Sequence, residues 1–310
     1  MTFALATLAC LAIAQTGPGN VVYHSKTGRI VARNFDRLNT NWQDKKAATR
    51  PGETRIKLEG SLAIVDSPEK GVSATGQTIE LAWAQPGGKK FEIRSAIVQG
   101  RAAMTFDSDW AYRSQIAFAQ ESGLQPPKPN LTARSGRVDS DEIEYAGDSD
   151  QGTLSLSHPW TYKETDQGVE EREVEGHPAQ VHFDQVFECD GTSGQLILGP
   201  GKDGEINQIQ TGTIRGPVHF KLIRKETVGD TKASTVTSYV GVADRVDINM
   251  KTNPGTVTAS GHVKVDRMAD GYPSNIDVDW LVLTVSPEME PLGLQMGTGT
   301  IKASDKGGSR

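Results

Sequence analysis

The stretch Thr256–Arg267, TVTASGHVKVDR, decides the fold because its polar and apolar residues alternate one by one. Thr258, Ser260, His262 and Lys264 fall on one side of a period-two pattern, and the valines and alanine fall on the other. Successive side chains of a β-strand point to opposite faces, so this pattern predicts a strand with one apolar face and one polar face. The glycine at its centre predicts a bend or a close approach of another chain segment.

The same alternation recurs along the whole sequence. The glycines at the centres of the alternating runs are Gly60, Gly100, Gly136, Gly176, Gly216 and Gly261, with a terminal copy at Gly297 or Gly299. Their spacing of about 40 residues is typical of a repeating architecture, in which each unit leaves a face open that its neighbour covers. We therefore expect an all-β chain built from repeated short antiparallel strands.

Composition supports thin, turn-rich β structure. The chain has 310 residues, of which 36% are hydrophobic and 6% aromatic, and it contains 33 glycines. The formal net charge is −6 and the pI is about 5.6, without a long cluster of lysine and arginine. A nucleic-acid partner requires a basic stripe, so nucleic acid is not an expected partner.

The first residues resemble a secretion signal. Met1–Ala14 contains an apolar run that ends in Ala-Ile-Ala, the small-x-small pattern of a cleaved signal peptide. This predicts removal of residues 1–14 and export of the mature chain. Cys189 is then the only cysteine of the mature chain, so no intrachain disulfide is expected.

One helix and one linker interrupt the strand pattern. The spacing of Tyr112 and Ile116, a cap at Asp107 or Ser108 and a stop at Gly123 predict a short helix near 108–122. Residues 121–130 read as a linker. They divide the chain into N-terminal repeats, 20–120, and C-terminal repeats, 131–310, either as two subdomains or as an insertion in one continuous structure.

The segment Ile276–Val285 is apolar on both faces. Such a strand is either covered on both sides or forms an edge that another protein covers. We predict that it is a partner-binding edge. The edge residues are Ile276, Val278, Trp280, Leu281 and Leu283.

The strand Val257–Val265, preceded by Val242–Asn249 and a turn, resembles the OstA-like family. The copies at 56–65 and 214–222 are similar. The family comprises the LptA- and LptC-type periplasmic proteins of lipopolysaccharide transport. The resemblance implies an elongated open β-jellyroll whose apolar interior holds acyl chains. It also implies a periplasmic location and contacts with other OstA-like envelope proteins through strand edges.

The residues themselves leave two possibilities for the interior. Inward-facing apolar rows in a thin sheet leave a groove for lipid, or they pack against each other as an ordinary core. The resemblance favours lipopolysaccharide or another acyl lipid as ligand. The predicted lipid-binding residues are Ile56, Leu58, Leu62, Ile64, Val98, Met104, Phe106, Ile214, Val218, Phe220, Val257, Val263 and Val265.

Catalytic and metal motifs are weak, so we expect no enzymatic activity, no cofactor and no metal. The run Gly199–Gly204 spells a nucleotide-binding loop, but a strand follows it and its proline suits a turn. The group His177, His182, Asp184, Glu188 and Cys189 does not fall on one strand face.

Two other functions stay open. One is a β-solenoid carbohydrate-active enzyme or adhesin with the acidic segment 139–175 as its binding face, dependent on Asp139 and Asp141. The other is a structural envelope protein with a filled core.

Overall fold

A computed structural model of the protein describes ten stretches of the chain. They are residues 19–40, 52–85, 91–128, 132–148, 150–174, 176–200, 206–229, 234–269, 271–286 and 291–303. These residues form an all-β structure with one α-helix and one 3-10 turn, which confirms the predicted fold class at this level. The predicted signal peptide lies outside the described residues.

Seventeen strands are described. The first nine are β1 (Gly19–His24), β2 (Arg29–Phe35), β3 (Arg37–Asn39), β4 (Glu53–Ser67), β5 (Val72–Ala84), β6 (Glu92–Asp107), β7 (Thr132–Gly147), β8 (Gly152–Leu156) and β9 (Trp160–Val174). The others are β10 (His177–Gly191), β11 (Ser193–Pro200), β12 (Ile206–Val228), β13 (Ser234–Asn249), β14 (Gly255–Ala269), β15 (Tyr272–Val285), β16 (Pro291–Met296) and β17 (Gly299–Ala303). The helix α1 spans Ser108–Ser122, and the 3-10 turn spans Pro68–Lys70.

Every pairing among the described strands is antiparallel. Apart from β1, which adds one further strand beside β2, the strands stack in twelve layers with a corner in each layer. In β4–β7 and β12–β15 one strand passes through the corner, where its pairing register shifts. In the other four layers two separate strands meet at the corner: β2 with β3, β9 with β8, β10 with β11, and β17 with β16. At about 4.8 Å per layer the stack is about 53 Å long.

The corner divides the stack into two sheets, which we call arm A and arm B. Arm A consists of residues 37–39, 53–59, 78–84, 92–99, 142–147, 152–156, 193–200, 206–215, 245–249, 255–260, 281–285 and 291–296. Arm B consists of residues 19–24, 29–35, 63–67, 72–76, 102–107, 132–140, 160–174, 177–191, 218–228, 234–243, 263–269, 272–278 and 299–303.

Midway along the stack the pairings close into a ring of six strands. β7 pairs with both β8 and β9, β12 pairs with both β11 and β10, and the β8–β11 and β9–β10 pairings complete the ring. Within the ring the two arms are connected through β7 and β12, two of the eight strands that belong to both arms.

Glycine at every second corner explains the spacing of about 40 residues. Gly100 and Gly261 have φ angles of 73° and 70°, a left-handed conformation that glycine adopts at little cost. A Cβ at Gly100 would collide with Gln77 of the preceding layer, and one at Gly261 would collide with Asp244. One repeat is thus a hairpin of two layers, in which a glycine corner lies against a corner that carries a side chain.

Two of the predicted repeat centres are wrong. Gly136 lies in the arm B half of β7, opposite the ring of Phe106, and not at a corner. Gly176 lies in the turn between β9 and β10, with a φ angle of 83°. The regular spacing of the glycines does not mark the corners in the middle of the chain, because the corner of β7 is at Asp141.

The helix prediction is confirmed. The side chain of Asp107 accepts a hydrogen bond from the backbone N–H of Trp110, and Gly123 ends α1 in a left-handed conformation. Because β6 and β7 pair directly on either side of it, the helix and the following residues are an excursion from one continuous sheet. Sheet pairing therefore crosses the predicted 121–130 boundary.

The N-terminal end of the stack is filled. Tyr23 of arm B contacts Trp83 of arm A with ring centroids 4.9 Å apart, and Phe91 contacts Trp83 at 6.1 Å. Ile56 and Leu58 are fully buried between the arms at this end. This part of the interior is an ordinary hydrophobic core.

Candidate lipid-binding interior

The inner faces of the two arms, which carry Val98 in arm A and Val263 in arm B, form one hydrophobic cluster. Beside the corner the inner residues are buried: Leu58, Val98, Ile143, Val218, Ala243, Val263 and Val278 have relative exposures of 4% or less. Here the arms diverge least, and side chains from both pack together.

Further from the corner the inner rows become partly exposed. In arm B this second row contains Met104, Val138, Tyr162, Phe220 and Ile276. In arm A it contains Ala96, Tyr145, Leu154, Leu196, Ile248, Val257 and Leu283. None of these side chains is fully buried, so two partly exposed apolar walls line the interior from β6 to the C-terminal end.

The predicted lipid-binding residues divide into three groups. Ile56, Leu58, Val98, Val218, Val263 and Val265 are buried on the inner faces. Met104, Phe106, Ile214, Phe220 and Val257 are partly exposed on the same faces. These eleven residues lie together, as the alternation predicts.

Leu62 and Ile64 do not belong with them, and their predicted placement on the apolar face is wrong. The corner of β4 contains three unpaired residues, 60–62, so the alternation changes phase there and Ala63 and Val65 point inward instead. Leu62 is 43% exposed at the corner, and Ile64 lies on the outer face. The two-residue corners of β6, β12 and β14 keep the phase, because an even number of residues restores the same face.

The predicted partner edge is also wrong. β15 pairs with β14 on one side and with β16 and β17 on the other, so its backbone is not free. Ile276, Val278, Leu281 and Leu283 point into the interior, whereas Trp280 lies on the outer face. The phase changes at the corner between Val278 and Leu281, which explains why both faces look apolar in the sequence.

The edge at the C-terminal end is formed by β16 and β17. Among the described residues each pairs only with β15. Leu294 and Ile301 face the interior but are 46% and 57% exposed, because no described layer covers them. At this end of the stack, no described strand covers the apolar space between the two arms.

A polar cluster borders the apolar wall of arm B. Tyr162, Glu164 and Asp166 alternate on the inner face of β9, within the acidic segment. Arg134 donates to Glu164 at 2.5 Å, and the hydroxyl of Tyr162 also donates to Glu164. Arg224 lies 4.5 Å from the centre of the Phe183 ring and binds Glu226 at 2.6 Å.

Burial controls the protonation of this cluster. It raises the pKa of the Tyr162 phenol, and the hydrogen bond to Glu164 raises it further. Burial also raises the pKa of Asp166, whose Oδ1 is buried without a hydrogen-bond partner among the described residues. Cys189, on the same face, has its pKa raised to about 12 by burial, so it stays a neutral thiol.

Glu164 and Asp166 are not among the site residues predicted from the sequence. The signal that could have placed Glu164 and Asp166 inside is their register with Trp160 and Tyr162, every second residue along β9.

The described residues contain no group of three or more histidine, cysteine, aspartate or glutamate side chains arranged to hold a metal ion. In the part of the chain that the structure covers, no helix has the length and hydropathy to span a membrane. No protein-family model, no curated protein and no solved structure matches the chain.

Proposed function

We propose that the protein is a cell-envelope lipid-binding protein that holds the acyl chains of lipopolysaccharide or a similar lipid between its two arms. The observation that carries the proposal is the pair of partly exposed apolar walls from β6 to β16 and β17. The all-β repeat with corner glycines is compatible with the open jellyroll that the OstA-like resemblance implies.

The energy of such binding follows from the apolar surface. Each methylene that an acyl chain transfers from water to these walls contributes about 0.8 kcal/mol. About eight buried methylenes therefore give roughly 6 kcal/mol, a dissociation constant on the order of 30 μM. The interior needs no charged anchor for this affinity.

We further propose that the open C-terminal end, with the exposed Leu294 and Ile301, is where another envelope protein of similar fold adds its strands. This places the partner contact one layer beyond β15. The interiors of proteins joined in this way would form one continuous channel, along which lipid is transported.

The test is photocrosslinking from the inner face. A benzophenone amino acid at Phe220, in full-length protein incubated with lipopolysaccharide micelles, should crosslink to lipid. The same amino acid at Val240, an outer-face residue of the adjacent strand that is 48% exposed, should not. Equal crosslinking at both positions, or none at Phe220, would contradict the proposal and favour a filled structural core.

A further inference from the structure

The outer face of arm B carries a groove, of whose lining only Phe106 and Phe220 are also predicted lipid-binding residues. Between α1 and the outer faces of β6, β7, β9 and β10 lies a cavity of about 860 Å³, with Trp110 and Arg113 of the helix on one side. A second cavity of about 430 Å³ continues across β12, β13 and β14, and both share Glu188 and Asp190.

The groove runs across the strands. From β6 to β14 it crosses six strand intervals, a length of about 29 Å at about 4.8 Å each. A groove of this length and of several hundred cubic ångströms suits an extended chain of small rigid units.

Opposite charges balance along the groove. Arg137 binds Asp139 at 2.5 Å, Lys163 binds Glu188 at 2.9 Å, and Nδ1 of His219 lies 2.9 Å from a carboxylate oxygen of Asp190. Besides His219, the lining contains five acidic and five basic side chains, so the groove has no formal net charge to attract a polyion. Paired groups still present oxygen and nitrogen atoms to a neutral polar ligand.

Hydroxyl groups and one indole complete the lining. Thr105, Ser135, Thr161 and Thr165 point into the first cavity, and the hydroxyls of Ser135 and Thr165 lie 2.8 Å apart. The partly exposed indole of Trp110 supplies an apolar face beside them. A sugar ring matches this combination, because it presents C–H groups on its faces and hydroxyls around its rim.

We propose that this outer groove binds a neutral saccharide chain laid across the strands, with one sugar ring against Trp110. The site is separate from the lipid-binding interior, since the sheet of arm B lies between them. Asp139 lies in this groove, whereas Asp141 lies at the corner of β7.

The experiment measures binding of three neutral hexasaccharides, maltohexaose, cellohexaose and chitin hexaose, to the full-length protein by calorimetry. We expect saturable binding of at least one, with a dissociation constant below 1 mM and less than a twofold change between 50 and 500 mM NaCl. Trp110→Ala should weaken binding at least tenfold, and Arg113→Ala should weaken it about threefold. Tyr112→Ala, an aromatic substitution on the same helix outside the cavity, should leave it unchanged.

Circular dichroism and the melting temperature establish that each variant is folded, and Arg113, which is exposed, serves if Trp110→Ala unfolds α1. Failure of all three neutral probes overturns the proposal, as does binding that neither Trp110→Ala nor Arg113→Ala weakens. Salt-sensitive binding of an acidic glycan or peptide alone also overturns it. Trp110→Ala should retain the lipid crosslink from position 220, so that failure at one site is distinguishable from failure at the other.

Discussion

Two valines on one strand distinguish an open interior from a filled one. Val263 and Val257 both point inward from β14, on opposite sides of its corner. Val263 is fully buried, whereas Val257 is only partly buried. The same substitution, Val→Ala, therefore removes two methyl groups from a packed site in one case and from the wall of the proposed slot in the other.

For Val263→Ala the lost transfer energy is about 1.6 kcal/mol. A residual cavity of about 40 Å³ adds about 1 kcal/mol, so the free energy of unfolding should fall by about 2.5 kcal/mol and the melting temperature by about 5 °C. For Val257→Ala we expect about 1 kcal/mol or less, because part of the side chain is already in water and little cavity forms.

Lipid binding should respond in the opposite order. Val257→Ala removes surface that would contact an acyl chain, and a loss of about 0.8 kcal/mol weakens binding about fourfold. Val263→Ala should leave the affinity nearly unchanged. Urea unfolding and titration with a fluorescent fatty acid measure the two quantities, and equal stability losses with no effect on binding would refute the open interior.

Three other outcomes follow from individual contacts. Glu69→Ala removes a buried carboxylate that binds Arg29 of β2. The free energy of unfolding, measured by urea denaturation, should fall by about 2 kcal/mol. No loss would mean that this ion pair does not stabilise the 3-10 turn. Gly261→Ala should lower the free energy of unfolding by about 1 kcal/mol more than Gly176→Ala. Both glycines have a positive φ, but only at Gly261 would the added methyl group clash with a neighbouring side chain. Equal losses would show that the corner tolerates a methyl group. The hydrogen bond to Asp244 raises the pKa of His262 above 6.5, so its stabilising effect is present below that pH and fades as pH rises through the raised pKa. An NMR titration should show the pKa falling in Asp244→Asn, and an unchanged pKa would contradict this pairing.

Local alternation predicted the elements well. The strand at 255–269 and the helix at 108–122 follow from period-two and period-3.6 patterns, and their caps and central glycines are local signals as well. Alternation also predicted that Val98, Val218 and Val263 lie on the apolar face. The corners of β6, β12 and β14 contain two residues each, so the same face points inward on both sides of the corner.

Long-range pairing decided the rest. The sequence of β15 alone does not show whether another layer follows it, and β16 and β17 cover the edge that its apolar residues suggested. The inward direction of Glu164 likewise depends on pairing with β7 and β10, not on the acidity of its segment.

The amino-acid sequence by itself determined that the chain is a repeated β structure with apolar files, because side-chain alternation and glycine conformations are properties of a few consecutive residues. Only the tertiary structure decided which face of each file points inward and where the stack stays open. The physical reason is that each corner adds an odd or even number of residues, and only pairing with the neighbouring layer fixes that number.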